Sequence, residues 1–394
     1  MDFDVVIIGG GLPGASLASA LAESKLKLAL IERKQPAAPP PEWDSRVYTL
    51  TPESIAFLER IGAWRRIESA RVTPIYDMRV FGDNARSRLD FSAYESGVLQ
   101  LAATVESGRL HDALWRGLKR QSNLTLLCPA VPSKLRLAED CVEIGLEDGS
   151  AVAAKLVVGA DGADSWVRGA AAIEARVRSY AQLGIVANFG CARPHRNIAY
   201  QWFRRDGVLA YLPLPDRRVS IVWSAPEAVA RELLALPSAV FCRRVAEAGG
   251  EVLGALEPLT PPAAFSLSRM LAARMGHGRT ALIGDAAHVV HPLAGQGVNL
   301  GLGDAHSLAA LLREAPDPGD RLLLRRFERA RAEDILAMSW VTDGLFRMFD
   351  ADSRIVARLR NFGLNLTNSS AVIKTLLARR AIAVGGGLHQ KEPS

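Results

Sequence analysis

The sequence predicts an α/β protein: a parallel-sheet domain written in three separate pieces, a β-sheet domain inserted between them, and a C-terminal helical tail. Three observations carry this. Phe3–Ile8 is an apolar run, broken only by Asp4, that ends in three glycines and leads into a helix-like segment. Arg279–Ile283, much later in the chain, repeats the same buried-strand pattern. Between them the pattern changes to short strand-like runs at 183–189, 198–203, 208–213 and 218–224, followed by helix-like 227–248. A run that is apolar at every position suits a parallel strand covered on both faces.

The chain has 394 residues, which is long for one core and suits two domains. It is 49% hydrophobic and 23% charged, ordinary for a globular protein and unlike a disordered one. The expected division places 1–71, 98–176 and 267–345 in the first domain, 72–97 and 177–266 in the second, and 346–394 in the tail.

Taken in order, Pro13 to Ala22 reads as a helix rich in small residues, and Lys27–Ile31 as a second strand ending at Glu32. Together with Phe3–Ile8 they form a βαβ unit, the opening of a Rossmann-like domain. Residues 35–42 are a proline-rich surface loop, and Thr51 to Ile67 reads as a helix. Residues 72–100 alternate like strands. Gly108 to Gln121 is helical, Leu124–Gly149 is hairpin-rich, and Lys155–Val158 is another buried strand. Gly297–Leu312 and Asp320–Phe346 read as helices. No internal repeat is found.

Four cysteines, Cys128, Cys141, Cys191 and Cys242, include no C-x-x-C pair, which favours reduced thiols in a cytoplasmic protein. The Met-Asp-Phe-Asp start lacks the basic flank and cleavage site of a secretory signal. No uninterrupted apolar run reaches about 18 residues, so no spanning helix is expected. The net charge of +6 is concentrated at one end: from residue 351 onward seven Lys or Arg stand against two acids, while the first 350 residues carry 41 against 40.

Gly9-x-Gly11-x-x-Gly14 lies between a strand and a helix, the setting that gives this motif meaning. Gly9 permits the tight turn, Gly11 lets backbone approach a pyrophosphate, and Gly14 allows close helix–strand packing. Leu12 and Pro13 open the helix, whose N-terminus offers partial positive charge to phosphates. Glu32, 21 residues after Gly11, is placed to accept both ribose hydroxyls and would repel a 2′-phosphate. Arg33 follows it. This end takes the ADP half of FAD or NAD, and the motif alone does not separate the two.

A second cofactor signal lies far downstream. Thr280–Asp285 is a buried strand with a carboxylate at its carboxyl end, where ligands of α/β sheets bind. Asp285 could accept from a polyol such as a ribityl chain. Gly295-Gln296-Gly297 then opens a helix whose N–H groups suit the negative charge of a reduced flavin. Two alternatives stand beside this reading. Asp285, His288 and His291 could ligate a metal, but the spacing runs through Val289-Val290 into Pro292 without a further ligand cluster. The histidines could instead be structural, bonding backbone carbonyls, and that is the favoured reading.

Gly9–Gly14, Asp161-Gly162-Ala-Asp-Ser165-Trp-Val-Arg168 and Gly284-Asp285 to Pro292 resemble the three fingerprints of single-component flavin aromatic monooxygenases, the class of para-hydroxybenzoate hydroxylase. His291–Gly301, with Leu212–Pro215 and Val222–Ser224, is similar to the ubiquinone-biosynthesis hydroxylases within that class. The resemblance covers about residues 1–345. It implies FAD as cofactor, with Asp161 and Gly162 near its pyrophosphate and a transient NADH or NADPH. It implies Asp285 on the ribityl chain, and Pro292, Gly295, Gln296, Gly297, Val298 and Asn299 around the flavin ring. Arg46 matches an arginine beside the flavin and its phosphates. Arg109 stands one place later than the family's arginine, because Val105-Glu106-Ser107-Gly108 replaces Val-Glu-Asn-Arg.

The implied chemistry is addition of molecular oxygen at flavin C4a and transfer of the distal hydroperoxide oxygen to an electron-rich ring. The implied substrate is a polyprenylated phenol or quinone precursor. No catalytic acid or base is assigned. A small soluble aromatic substrate, or a flavin-binding scaffold in a quinone-biosynthesis complex, are the competing readings. In the tail, Ile355, Leu359, Phe362 and Leu366 fall on one helical stripe flanked by Arg354, Arg358 and Arg360. That pattern suits either packing, as in a homo-oligomer, or a peripheral membrane contact on the inner face. Nucleic acid is not an expected partner, since no aromatic–basic interleaving accompanies the charge.

Overall fold

The computed structural model describes residues 2–82, 87–204, 206–291 and 296–350, with side chains described through Met338. Two large sheets organise it. The first has eight strands, with a parallel centre ordered Thr280–Leu282, Ala151–Gly159, Phe3–Ile8, Leu28–Ile31 and Leu124–Leu127. Val5–Ile8, Leu28–Ile31 and Leu156–Val158 are buried, as their unbroken apolar pattern requires.

The register of these strands creates the site. Ile8 pairs with Ile31 on one side and Gly159 on the other, and Gly159 pairs with Leu282. Four strand ends therefore lie side by side. The residues that follow them are Gly9, Glu32, Ala160-Asp161 and Ile283 to Asp285. Motifs separated by most of the chain meet because parallel strands present their carboxyl ends on one edge.

The second sheet has nine strands. Its path runs His288–Val289, Ala263–Ala272, Ala175–Cys191, Arg218–Pro226, Gly207–Leu214, Ile198–Arg204, Asp77–Phe81 and Arg88–Ser92, with Leu256–Pro258 paired to Ala175–Cys191. Side chains alternate across it. Leu209, Tyr211, Ile221 and Trp223 form a core with Phe241 and Val245 of the covering helices. Val208, Ala210, Leu212 and Val222 face the other way. The helix stretch expected at 227–248 is two helices, Glu227–Ala235 and Ser238–Ala248, interrupted at Leu236-Pro237. Proline disfavours helix in the residue before it.

A three-stranded sheet of Val47–Leu50, Ala102–Glu106 and Val72–Ile75 lies beside these two. Val72–Ile75 was expected in the inserted domain and instead pairs here. The helix expected over Thr51–Ile67 is Pro52–Arg60, capped by Thr51, followed by a short 3-10 turn at Trp64–Arg66. Gly62 at φ +71° ends it. Helix Gln296–Arg313 packs on Leu12–Ala20, and helix Arg321–Asp350 packs on Gln296–Arg313.

Candidate active site

A cavity of about 1040 Å³ runs between the carboxyl edge of the first sheet and the open face of the second. Its first wall includes Gly9, Gly11, Leu12, Pro13, Glu32, Arg33 and Arg46, then Asp161, Gly162, Asp285, Gly297 and Val298. Most of the predicted cofactor residues therefore share one space. Its second wall is apolar, including Met78, Val186, Ala210, Val222 and Leu267, with Gln201, Ser220 and Ser224 as polar points.

The glycine turn has the shape its sequence demands. Gly9 has φ +103°, and a Cβ there would lie 2.4 Å from the Ala160 carbonyl oxygen. A Cβ on Gly14 would lie 2.0 Å from the Gly9 oxygen. Gly11 differs: nothing lies within 4 Å of its Cβ position, which is open. No side chain caps helix Leu12–Ala20, so its N-terminal N–H groups are left for a ligand. The turn is fixed from behind. Gly10 N donates to Glu32 Oε2 at 2.6 Å, and Trp115 Nε1 donates to the Gly10 oxygen at 2.8 Å.

The middle motif is tied to the last one. Asp161 accepts from Ser165 Oγ at 2.6 Å and from Val167 N at 3.0 Å. Arg168 then spans both loops, donating to the Ala163 oxygen at 2.8 Å and the Ala286 oxygen at 3.0 Å. Asp285 opens into the cavity while protein surrounds it on the other sides. Burial raises its pKa above the usual carboxylate value, against the pull of His288 and Arg46.

A protein-family model described as an FAD binding domain matches residues 2–338. The ubiquinone hydroxylase UbiL of Rhodospirillum rubrum is 37% identical over 384 residues, spanning 96% of this chain and 89% of that protein. The 3-demethoxyubiquinol 3-hydroxylase of Escherichia coli is 31% identical, spanning 97% and 98%. The chain belongs to the ubiquinone-biosynthesis hydroxylase family of FAD-dependent monooxygenases. Among solved structures, p-nitrophenol 4-monooxygenase PnpA from Pseudomonas putida superimposes with a TM-score of 0.79 at 18% identity, spanning 97% of this chain and 98% of that one. PqsL from Pseudomonas aeruginosa, a probable FAD-dependent monooxygenase, gives 0.78 at 23% identity, spanning 93% and 100%. At these identities the likeness is one of fold.

FAD is therefore the cofactor of this hydroxylase, and the residues present suit it. The open Cβ position at Gly11, the uncapped helix and the cavity continuing from Glu32 to Asp285 form one long polar cradle. Three predicted residues sit elsewhere. Arg109 does not line the cavity; it donates to the Pro40 oxygen at 3.2 Å and lies 3.9 Å from Glu106. Its one-place shift leaves it bracing the proline-rich loop. Asn299 is buried and stitches helix to strand: its Oδ1 accepts from Thr51 N at 3.0 Å and its Nδ2 donates to the Thr49 oxygen at 2.9 Å. Gln296 faces Asn299 at 3.4 Å. Of the segment expected around the flavin ring, Gly297 and Val298 reach the cavity, while Pro292 and Gly295 lie outside the described residues.

The histidines are structural, and among the described residues they meet side chains. His288 bonds Asp304, and His291 lies 3.5 Å from Gln182 with its ring edge-on to Tyr180. Sequence reading missed Asp304 and Arg331. Both sit within helices whose patterns mark them only as polar positions; full burial is what marks them as paired charges. It also missed Asp44, which accepts from Gly108 N and Arg46 N and so sets the arginine on the cavity wall.

Proposed function

We propose that this chain hydroxylates the aromatic ring of a polyprenylated ubiquinone precursor, with molecular oxygen as co-substrate and transient NADH or NADPH as electron donor. The observation that carries this is one continuous cavity with a polar cofactor wall and an apolar sheet wall. The relatives' names supply the substrate class.

Bound FAD supplies the oxygen activation. This chain's residues do the rest. Gly11, Leu12 and Pro13 present helix N-terminal charge to the pyrophosphate, and Asp161 and Gly162 flank it. Glu32 accepts from the ribose, with Arg33 beside it. Arg46 neutralises phosphate charge, Asp285 accepts from the ribityl chain, and Gly297 and Val298 edge the ring. Val208, Ala210 and Val222 orient the substrate ring and exclude water, which would otherwise divert reduced oxygen to peroxide. No side-chain acid or base is needed for the transfer.

The inserted sheet serves as the substrate wall. No helix among the described residues is long and apolar enough to cross a membrane. The basic tail, proposed to meet the membrane, a subunit of a quinone-biosynthesis complex or a second copy of the chain, lies outside them. Deletion of the gene tests the function directly. The expected outcome is accumulation of a precursor lacking one ring hydroxyl; normal quinone levels would refute it.

A further inference from the structure

Helix Arg321–Asp350 buries one side and shows another. Leu323, Leu324, Phe327, Arg331, Ile335 and Met338 face the core. Leu322, Arg325, Arg326, Arg329, Glu333 and Leu336 are exposed and recur at the spacing of one helical stripe. Leu322 is 66% exposed and Leu336 49%, so apolar surface stands at both ends of the stripe. Arg325 and Arg326 make no ion pair among the described residues, and Arg329 donates only to the Arg325 carbonyl of its own helix. Arg321 occupies the first turn, where the helix dipole disfavours a cation. Of the acids whose side chains are described, Asp334 holds Arg331 and Glu328 faces Met275 N, while Glu333 stands on the exposed stripe itself.

We infer that this stripe is a docking face for an anionic lipid surface. Three arginines flanked by two leucines, against the single acid Glu333, suit a headgroup layer, the charges meeting phosphates and the leucines entering the acyl boundary. Charge argues against the chain's own tail as occupant, since residues 351–394 carry seven Lys or Arg against two acids. The inference stands on the helix alone and does not depend on which aromatic ring is hydroxylated.

The test uses the intact holoenzyme and sedimentation with vesicles of pure phosphatidylcholine or of phosphatidylcholine with phosphatidylglycerol. The structure predicts binding to the anionic vesicles only, weakened by raised salt. A variant carrying Arg325→Glu, Arg326→Glu and Arg329→Glu loses at least tenfold in partitioning. Arg→Lys at the same three positions keeps it, and Leu322→Ser with Leu336→Ser weakens it without changing salt dependence. FAD content and turnover of a water-soluble short-chain substrate analogue report that the variants are folded. Undiminished partitioning of the charge-reversed protein, or no binding by the intact protein, would overturn the inference. If vesicle binding fails while hydroxylation persists, the docking face is wrong and the proposed function stands.

Discussion

His288 and Asp304 lie 2.6 Å apart, Nε2 to Oδ2, and both are buried. The same Oδ2 accepts from Gly284 N at 2.9 Å, while Oδ1 accepts from Arg331 Nε at 2.8 Å. One carboxylate thus fastens the loop carrying Asp285 to the last described helix. Burial opposes its charge, but His288 and Arg331 outweigh that and hold its pKa below the ordinary carboxylate value. A depressed carboxylate pKa gives stability that is present above the unfolded-state value and lost as pH falls through the folded one.

Asp304→Ala removes the anion and leaves Arg331 buried with one carboxylate, Asp334, and the Leu300 carbonyl oxygen as partners. The expected destabilisation is about 3–5 kcal/mol. Urea unfolding of the apo and FAD-bound protein measures it. A loss under about 1 kcal/mol would show that the network contributes little.

His291 predicts an acid sensitivity of opposite chemistry and the same sign. Burial lowers its pKa from 6.5 to about 4. Between those values the unfolded chain binds the proton and the folded protein does not, so stability falls as pH drops. The loss approaches about 3 kcal/mol by the lower end. His291→Gln should flatten the dependence of urea midpoint on pH across this window; an unaltered slope would contradict the assignment.

The glycine turn separates folding from binding. Gly11→Ala meets no neighbour and keeps an ordinary φ of −64°, so stability should change by less than about 1 kcal/mol. Its methyl would enter the cavity where the pyrophosphate is proposed to lie, so FAD binding should weaken at least about tenfold, near 1.4 kcal/mol. Gly9→Ala has the reverse character: strain and the clash with Ala160 should destabilise by about 3 kcal/mol or more. Unfolding curves and FAD titration of both variants check the contrast.

Asp285→Ala removes a hydrogen-bond acceptor from the cofactor wall. Loss of a bond to a charged group, about 1.5–3 kcal/mol, weakens FAD roughly ten- to hundredfold. Full FAD retention on purification, with unchanged affinity, would refute the ribityl role.

Much of this arrangement was legible in the sequence. The strands ending at Ile8, Gly159 and Leu282 are apolar over their last residues, Val5–Ile8, Leu156–Gly159 and Ala281–Leu282, and the glycines and carboxylates that follow them are the residues such strand ends need. The roles of Arg109 and Asn299 were not legible, because a motif gives residue type but not side-chain direction. Arg109 turns to the proline-rich loop and Asn299 to the backbone of Thr49 and Thr51. Helix ends at Gly62 and Leu236 were blurred because apolar spacing continues across the breaks.

The central claim is that one cavity joins FAD to an aromatic ring laid on the sheet wall. Its most direct test supplies the purified, reduced protein with polyprenylated precursor and oxygen-18 gas, then measures the isotope in the product by mass spectrometry. The account predicts one labelled oxygen on the ring, lost in Ala210→Phe, which fills the wall while leaving FAD bound. Flavin reoxidation that yields peroxide and no ring-incorporated label would contradict it.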